Sequence, residues 1–202
     1  MLEIRETSAY AAWFDALRDR TAKARINIRI RRLSLGNSGD IRPVGEGVSE
    51  LRIHYGPGYR VYLKKQGDAL VILLAGGDKS SQDQDIRLAK DLARNLQEAS
   101  MTKTITTIWD PASHLSTAED VAAYLEAALQ DGDPQIVAAA LGDIARAKGM
   151  SQIARDAGLG RESLYKSLSS SGNPELATVL RVISALGLQL HVSATDKSKM
   201  AV

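Results

Sequence analysis

The sequence predicts an α+β protein, in which a small antiparallel sheet packed by helices precedes an all-α part. Two observations predict it. Apolar residues alternate with period two in several short stretches before residue 76, whereas they recur at helical spacing over most of residues 108–186. The length of 202 residues suits one large domain or two small domains of about 100 residues each.

Residues 1–98 are predicted to run strand, two helices, strands and helix. Met1–Thr7 alternates like a strand, and Thr7 or Ser8 is placed to cap the helix that follows. The turn Gly56-Pro57-Gly58 joins two alternating runs into a hairpin. The other predicted elements are helices that bury Tyr10, Phe14 and Leu17 and then Ile26, Ile30 and Leu33, strands over Val48–Tyr55, Tyr59–Leu63 and Ala69–Ala75, and a helix over Asp83–Leu96.

Residues 108–202 are predicted to be helical up to residue 186. Ser116 and Glu119 have capping-box spacing, and Pro134 stands where prolines favour the first position of a helix. Further helices are predicted over Ser151–Ala157, Arg161–Leu168 and Glu175–Leu186. The alternation over Leu188–Ser193 predicts either a C-terminal edge strand or docking of this segment on its own helices.

Composition limits the classes of function. The chain has no cysteine, which excludes disulfides, thiolate zinc sites, iron–sulfur clusters and cysteine nucleophiles. Residues 1–100 carry 17 basic and 13 acidic side chains, whereas residues 101–202 carry 9 and 11. This asymmetry predicts that the first half binds a polyanion or that the two halves bind each other. No apolar run has the length of a membrane span and no signal peptide is evident, so we expect a soluble cytoplasmic protein without membrane contact.

A boundary is predicted near Met101. The helical periodicity of the first half ends there, and Met101 opens a polar, threonine-rich stretch of the kind found at the start of chains. We therefore expect a first domain over residues 1–98, a junction over 99–107 and a second domain over 108–202.

Residues 150–168 have the pattern of a helix-turn-helix. Gly158 permits a left-handed turn, Leu159 fills the core, and Leu164 and Leu168 hold the second helix in place. The alternative is a turn that serves packing alone. Because this half carries a net charge of −2, DNA binding would require a homodimer that reads a palindrome. The candidate DNA-binding residues are Ser151, Gln152, Arg161, Glu162, Ser163, Tyr165 and Lys166.

Two basic features in the first half are candidates for contact with a polyanion. Arg25, Arg29 and Arg32 recur at helical spacing and form one basic stripe, for which the alternative is a solvated helix face. On the hairpin, Arg52 and His54 share one strand face and Arg60 and Tyr62 share a face of the partner strand, because side chains repeat every second residue. The alternative here is a surface hairpin whose tyrosines, Tyr59 among them, cover the edge of the core.

Lys79 follows the third strand of this sheet, and the two glycines before it bring it to the same end of the sheet as the hairpin. The stretch Gly76–Ser80 lacks the first glycine of a P-loop. The histidines His54, His114 and His191 are scattered without metal-ligand spacing, so we expect no metal and no cofactor. What remains is acid–base and electrostatic chemistry on a phosphate.

Both halves resemble known families. Residues 1–98 resemble HigB-type killer proteins of the RelE/ParE superfamily of addiction-module toxins, chiefly through Leu35–Asn37, Val44–Ile53, Tyr55–Tyr62 and Gly76–Asp83. Residues 101–196 resemble HigA-like antidote proteins with an Xre-type helix-turn-helix, chiefly through Tyr124–Leu129, Ala138–Ala147 and Ser163–Leu168. Members of these families are normally separate chains. Their union here implies a natural fusion, an engineered link or two chains written as one.

The resemblance implies a toxin–antitoxin module. HigB-type toxins cleave messenger RNA on the ribosome, and in such a site Arg60 would stabilise the phosphorane, Arg52 and Lys79 would add positive charge, and His54 would transfer a proton. Arg25, Arg29, Arg32, Tyr59 and Tyr62 would contact the RNA. The antidote half would neutralise the toxin half, form a homodimer and repress its own operator. The alternatives are a ParE-like gyrase inhibitor without nuclease activity and a protein that is chiefly a transcriptional regulator.

Overall fold

The computed structural model describes residues 2–96, 105–169 and 171–194. Its strands are β1 (Glu3–Thr7), β2 (Ile41–Gly45), β3 (Val48–Ile53), β4 (Tyr59–Gln66), β5 (Leu70–Gly77) and β6 (Thr106–Ile108). Its helices are α1 (Ser8–Ala16), α2 (Arg20–Ser34), α3 (Gln82–Asn95), α4 (Ala118–Asp131), α5 (Pro134–Lys148), α6 (Met150–Asp156), α7 (Arg161–Ser167) and α8 (Leu176–Ala185), with a 3-10 turn at Pro111–His114. The fold is α+β as predicted, a six-stranded sheet followed by helices.

The six strands form one sheet in the order β2-β3-β4-β5-β1-β6. Strands β2 to β5 are antiparallel neighbours, as the alternating runs predict. Strand β1 lies parallel to β5. A parallel pair needs a long connection, and here two helices and three strands connect the two strands. The sheet is therefore mixed, where the sequence predicted an antiparallel one.

Helices cover both faces of the sheet. On one face, Tyr10 and Phe14 of α1 and Ile26, Ile30 and Leu33 of α2 pack against the strands. On the other face, Ala89 and Ala93 of α3 pack against Val48, Tyr62, Ile72 and Leu74. This layering places the first turn of α3 beside the hairpin of β3 and β4, where the candidate site lies.

Helix α2 belongs to two cores at once. Its residues Ala24 and Ile28 are buried with Tyr124, Leu125 and Ala128 of α4, while its opposite side faces the sheet. The second half is therefore packed against the first and is not a separate body. It uses α2 as part of its own core.

The second half also adds a strand and a tryptophan to the first. Strand β6 pairs antiparallel with β1, and its residues Thr106 and Thr107 fall in the stretch predicted to be a junction. The backbone N–H of Trp109 donates to the carbonyl of Ile4 at 3.0 Å, and the Trp109 side chain is buried in the core of the first half.

Several local predictions are confirmed and others are wrong. The Thr7 hydroxyl caps α1 by accepting from the N–H of Tyr10, and Pro134 begins α5. The capping box of α4 is formed by Thr117 and Asp120, one residue later than predicted. Strand β2 was not predicted, because it contains Pro43 and proline argues against a strand. A proline is tolerated at the edge of a sheet, which is where β2 lies.

The segment after α8 forms no strand over residues 188–194. Leu188 packs against the helical core, whereas Leu190 and Val192 are exposed. Of the two alternatives predicted for this segment, the edge strand is wrong. Docking on the helices is confirmed for Leu188 but not for Leu190 or Val192. Among the helices of the described ranges, none is both long enough and apolar enough to cross a membrane.

Candidate functional site

Arg52 and Arg60 stand directly opposite each other on β3 and β4. Both contact the carboxylate of Glu50. The Nε of Arg52 donates to Oε1 at 2.6 Å, and the Nε of Arg60 lies 3.4 Å from Oε2. Two guanidinium groups in such proximity would repel each other, and the shared carboxylate offsets that repulsion. The hairpin thus holds two positive groups side by side at fixed positions.

Glu50 is a further residue of the candidate site, one that the sequence analysis did not single out. Its side chain is only 1% exposed, and its Oε2 also accepts from the Nε2 of Gln82 in the first turn of α3, at 3.1 Å. A buried carboxylate is stable only when it is paired and hydrogen-bonded. The signal was present in the sequence, because Glu50 lies two residues before Arg52 and therefore on the same strand face.

Lys79 lies beside this pair, as predicted. The Nη1 of Arg60 donates to the carbonyl of Gly58 at 2.8 Å, and a Cβ placed on Gly58 would be 4.0 Å from the Cβ of Lys79. Lys79 is exposed in a tight turn in which the N–H and hydroxyl of Ser80 both donate to Asp78. These bonds hold the pKa of Asp78 below its usual value.

The two glycines before Lys79 are required by close packing. A Cβ on Gly76 would lie 2.1 Å from the ring of Trp13, and one on Gly77 would lie 1.8 Å from the carboxylate of Asp85. Strand β5 can therefore end against α1 and α3 only if it carries no side chain there.

His54 lies apart from Arg60 and Lys79. It follows the last residue of β3, is 79% exposed, and its Nε2 is 2.9 Å from Oδ2 of Asp40. It lines a cleft between β3, α2 and α4, and Arg52 lines the same cleft. The four predicted catalytic residues therefore do not form one cluster. Arg52 lies opposite Arg60 on the hairpin and also lines the cleft that contains His54.

The two tyrosines predicted to contact RNA have different environments. Tyr59 is partly exposed and packs edge-on against Trp13. Tyr62 has no exposed surface. It lies two residues after Arg60 on the same face of β4, and at that point α3 covers the face. Burial, together with the nearby carboxylates of Asp85 and Glu50, raises the pKa of Tyr62 to about 12. Tyr62 is therefore a core residue in this structure and has no surface for stacking on a base.

The basic stripe of α2 faces the second half and not open solvent. The guanidinium of Arg32 donates to both carboxylate oxygens of Asp131, at 2.9 and 2.8 Å. The Nη2 of Arg25 donates to the amide oxygen of Gln130 at 2.6 Å, and its guanidinium lies 4.7 Å from the ring centre of Tyr55. Arg29 is partly buried between them. The end of α4 therefore covers the stripe that the sequence marked as a candidate RNA-binding surface.

A buried ion-pair network joins the two halves next to this stripe. Asp143 of α5, 1% exposed, accepts from Arg31 of α2 and from Arg146, each at 2.9 Å, and from the hydroxyl of Tyr124 at 3.0 Å. Burial raises the pKa of Asp143, although both arginines act in the opposite direction. Loss of this carboxylate would remove a buried negative charge that both Arg31 and Arg146 contact at the interface.

A second contact between the halves involves His114. Its ring packs edge-on against Phe14 of α1, with centroids 4.7 Å apart. Burial lowers the pKa of His114. The neutral ring is therefore the form that suits this apolar contact.

The helices α6 and α7 contain the residues that the sequence analysis identified as candidates for DNA binding. Ile153, Ala154, Leu164 and Leu168 are buried in the helical core. The backbone turns between the helices at Gly158, which has a φ of 64°. Gln152 donates to Asp156 and Ser151 is partly buried, whereas the other candidates project outward from α7: Arg161, Glu162, Ser163, Tyr165 and Lys166 are exposed.

Comparisons with known proteins connect this fold to a family. No solved structure matches the chain. Two Haemophilus influenzae proteins described as uncharacterized are similar to it, one 55% identical over 95 residues and the other 54% identical over 84 residues. These matches cover 96% and 87% of the two relatives but 47% and 42% of this chain.

The profile of a family described as "Probable addiction module antidote protein" matches residues 86–194. This stretch begins within α3 and includes β6 and all of α4 to α8. An antidote of this kind implies a toxin as its partner, which supports a toxin–antitoxin system. Because the match spans more than half of the chain, the chain belongs to the family of probable addiction module antidote proteins.

Proposed function

We propose that this chain joins both members of a toxin–antitoxin pair. Residues 1–98 are the toxin, a ribosome-dependent messenger RNA endoribonuclease of the HigB type. Residues 108–202 are the HigA-like antidote, which neutralises the toxin and represses the operator. Both similar proteins of Haemophilus influenzae align over nearly their whole length with less than half of this chain. That supports a chain composed of two units that elsewhere stand alone.

One observation carries the proposal. The acidic and amide side chains at the end of α4 bind the basic stripe of α2, with Asp131 on Arg32 and Gln130 on Arg25. A surface suited to a polyanion is thereby covered by the part of the chain that belongs to the antidote family. Masking of a nucleic-acid surface explains why a toxin and its antidote would be packed in this way.

The proposed chemistry is cleavage of a phosphodiester by the neighbouring 2′-hydroxyl. The 2′-oxygen forms a bond to phosphorus as the bond to the 5′-oxygen breaks, which leaves a 2′,3′-cyclic phosphate and a free 5′-hydroxyl. Arg60 and Arg52 would stabilise the negative charge of the phosphorane, and Lys79 would add a third positive group. Because Glu50 fixes both guanidinium groups, little reorganisation is needed when the charge develops.

His54 would take the proton of the 2′-hydroxyl. Histidine is the side chain that most often serves as a general acid or base. If Nε2 donates to Asp40, Nδ1 remains as the proton acceptor, and Asp40 orients the ring. The proton of the 2′-hydroxyl would pass to His54, and a solvent water would protonate the 5′-oxygen as it leaves. The hydroxide formed would then take the proton back from the His54 imidazolium.

The mode of neutralisation follows from where the contacts lie. The contacts described between the halves involve α2, β1 and α1, through Asp131, Asp143, β6 and His114. We propose that the antidote half blocks docking of the toxin half on ribosomal RNA by covering the α2 stripe. Arg60 itself is held within the toxin half, by Glu50 and Gly58.

The DNA-binding part of the proposal is supported by α7. The exposed residues of this short helix include Arg161 and Lys166, and its apolar side is buried. Such a helix suits entry into the major groove, with its N-terminal residues at the base edges. One recognition helix contacts few base pairs, so we propose that two copies of the chain bind a palindromic operator.

The nuclease proposal is tested by inducing residues 1–96 alone in bacteria and mapping message ends by primer extension. We expect new cleavage sites in translated messages, and no such sites with Arg60→Ala. Arg87→Ala, an exposed arginine on α3, is the matched control and should cleave like the parent. Intact messages together with a DNA-damage response would indicate gyrase inhibition. Intact messages with normal growth would leave only the regulator.

A further inference from the structure

The cleft between the two halves contains more positive than negative charge. It has a volume of about 290 Å³ and lies between α2, the end of β3 and the end of α4. Its basic side chains are Arg25, Arg29, Arg52 and His54, and its acidic ones are Asp40 and Asp131. Both halves therefore form its walls.

Some of these basic side chains contact a carboxylate. Arg52 is paired with Glu50 and His54 with Asp40. The carboxylate of Asp131 is engaged by Arg32. Among the residues that the structure describes, the polar and ring contacts of Arg25 are with the neutral amide of Gln130 and the ring of Tyr55.

Arg29 stands out among them. Its guanidinium makes no hydrogen bond and no ion pair with any residue in the described ranges. Burial and the neighbouring Arg32 lower the pKa of Arg29, although the carboxylates of Asp131 and Asp40 act in the opposite direction. The loop after α2 closes on it, since a Cβ on Gly39 would lie 2.5 Å from its Nη2. The backbone thus leaves room for an arginine that makes no direct ion pair with a carboxylate of the described residues.

Arg25 and Arg29 are one helical turn apart, so their side chains project from the same side of α2. Two guanidinium groups on one side of a helix can bind the oxygens of a single tetrahedral anion, each through a fork of N–H donors. The volume of the cleft is at the low end of small-molecule sites, roughly 300 Å³ and above. It would admit one phosphate group with at most a small body attached.

We propose that the cleft binds a phosphate group between Arg25 and Arg29, either as inorganic phosphate or as the phosphate of a mononucleotide. Such a ligand binds the joined toxin and antidote halves, so it goes beyond RNA cleavage and operator binding. Because α4 forms one wall, occupancy stabilises the folded chain by mass action. The toxin–antidote contact therefore becomes sensitive to the concentration of a common cellular anion.

The test uses the full chain and needs no toxicity. Isothermal titration and thermal unfolding are measured with inorganic phosphate, with AMP, and with adenosine as the uncharged comparison, all at one ionic strength set by chloride. Inorganic phosphate or AMP should bind and raise the unfolding midpoint, and adenosine should do neither. Tighter binding of phosphate indicates the free anion, and tighter binding of AMP indicates a nucleotide.

Variants separate a ligand site from a structural role. Arg29→Gln should weaken binding by about tenfold or more, the value of one charge-assisted contact. Without ligand, its unfolding midpoint should not fall, because Arg29 makes no ion pair with a described residue. Arg87→Gln on α3 is the matched control and should bind like the parent. Should Arg29→Gln not fold, Arg29→Lys keeps the charge without the fork and should bind more weakly than the parent. Equal binding by parent and Arg29 variants, or the same midpoint shift with chloride alone, would overturn the proposal.

Discussion

At the scale of single residues, Glu50 holds the arginine pair of the hairpin together. It is buried, and it receives Arg52, Arg60 and Gln82 on its two oxygens. Its removal would leave two arginines facing each other on adjacent strands without a shared counter-charge. The positions of both candidate phosphate-binding groups therefore depend on a residue that need not touch RNA.

We predict that Glu50→Gln destabilises the protein by about 3 kcal/mol, because it removes the charge of one partner from a buried ion pair. Urea denaturation of the full chain measures the change. Glu46→Gln provides the control, since Glu46 is exposed and pairs with Arg94 and Lys90 at the surface. Near-parental stability of Glu50→Gln would show that the carboxylate does not hold the pair.

Glu6 of β1 gives a prediction about pH. Burial, reinforced by Asp15, raises the pKa of Glu6 to about 7, from a usual value of 4.5. The folded protein therefore keeps this proton at pH values where the unfolded chain has lost it. The contribution of Glu6 to stability is retained below pH 4.5 and is lost as the pH rises towards 7.

Glu6→Gln cannot lose that proton, so its stability relative to the parent should increase between pH 4.5 and 7. Denaturation curves at the two pH values measure the difference. Asp15→Asn should produce a smaller change in the same direction, since Asp15 is the lesser cause of the raised pKa. A parent and a Glu6→Gln variant with the same pH dependence would contradict the assignment.

The candidate site shows how far single residues could be predicted. Period-two spacing predicts that Arg60 lies at the same end of the sheet as Lys79, and in the structure both lie near Gly58. It was wrong for Tyr62, because alternation assigns a face but does not show where along the strand α3 covers that face. The spacing of Glu50 from Arg52 was visible in the sequence, whereas its contact with Gln82, which is 32 residues away, depends on tertiary packing.

At the scale of elements, α2 determines how the halves are joined. The sequence identified its apolar face over Ile26, Ile30 and Leu33, which packs on the sheet. Its second apolar contact, through Ala24 and Ile28, was not apparent, because two small or medium side chains among arginines resemble a solvated face. Helix spacing shows which residues share a side but not what each side meets.

Helix α7 carries the prediction for DNA. The double variant Arg161→Ala/Lys166→Ala should lose binding to the DNA upstream of its own coding region, because both exposed cations suit contact with phosphates or bases. Gel-shift titration measures the loss. The control removes the same charge elsewhere in the second half, at exposed positions, as Lys148→Ala/Arg181→Ala. Unchanged binding by the α7 variant, or binding by a demonstrated monomer to one half-site, would contradict the proposal.

At the scale of the whole molecule, the two halves share a sheet and a core. The sequence located a change of composition near residue 101, and the charge asymmetry raised the option that the halves bind each other. Neither feature shows that β6 extends the sheet of the first half or that Trp109 enters its core. Such contacts depend on tertiary packing between distant segments, which local periodicity does not encode.

The central claim is that the first half is a toxin held inactive by α4. Ala127 lines the cleft opposite Arg25 and Arg29. An arginine at this buried position would repel both and separate α4 from the stripe, and it changes no residue of the toxin half. Ala122 is exposed on the same helix and serves as the matched control.

The most direct measurement is the growth rate of bacteria after induction of the full chain as parent, Ala127→Arg or Ala122→Arg, at equal soluble levels. We predict that Ala127→Arg arrests growth, that the parent and Ala122→Arg do not, and that adding Arg60→Ala to Ala127→Arg restores growth. Normal growth with soluble Ala127→Arg, or arrest that persists with Arg60→Ala, would contradict this account.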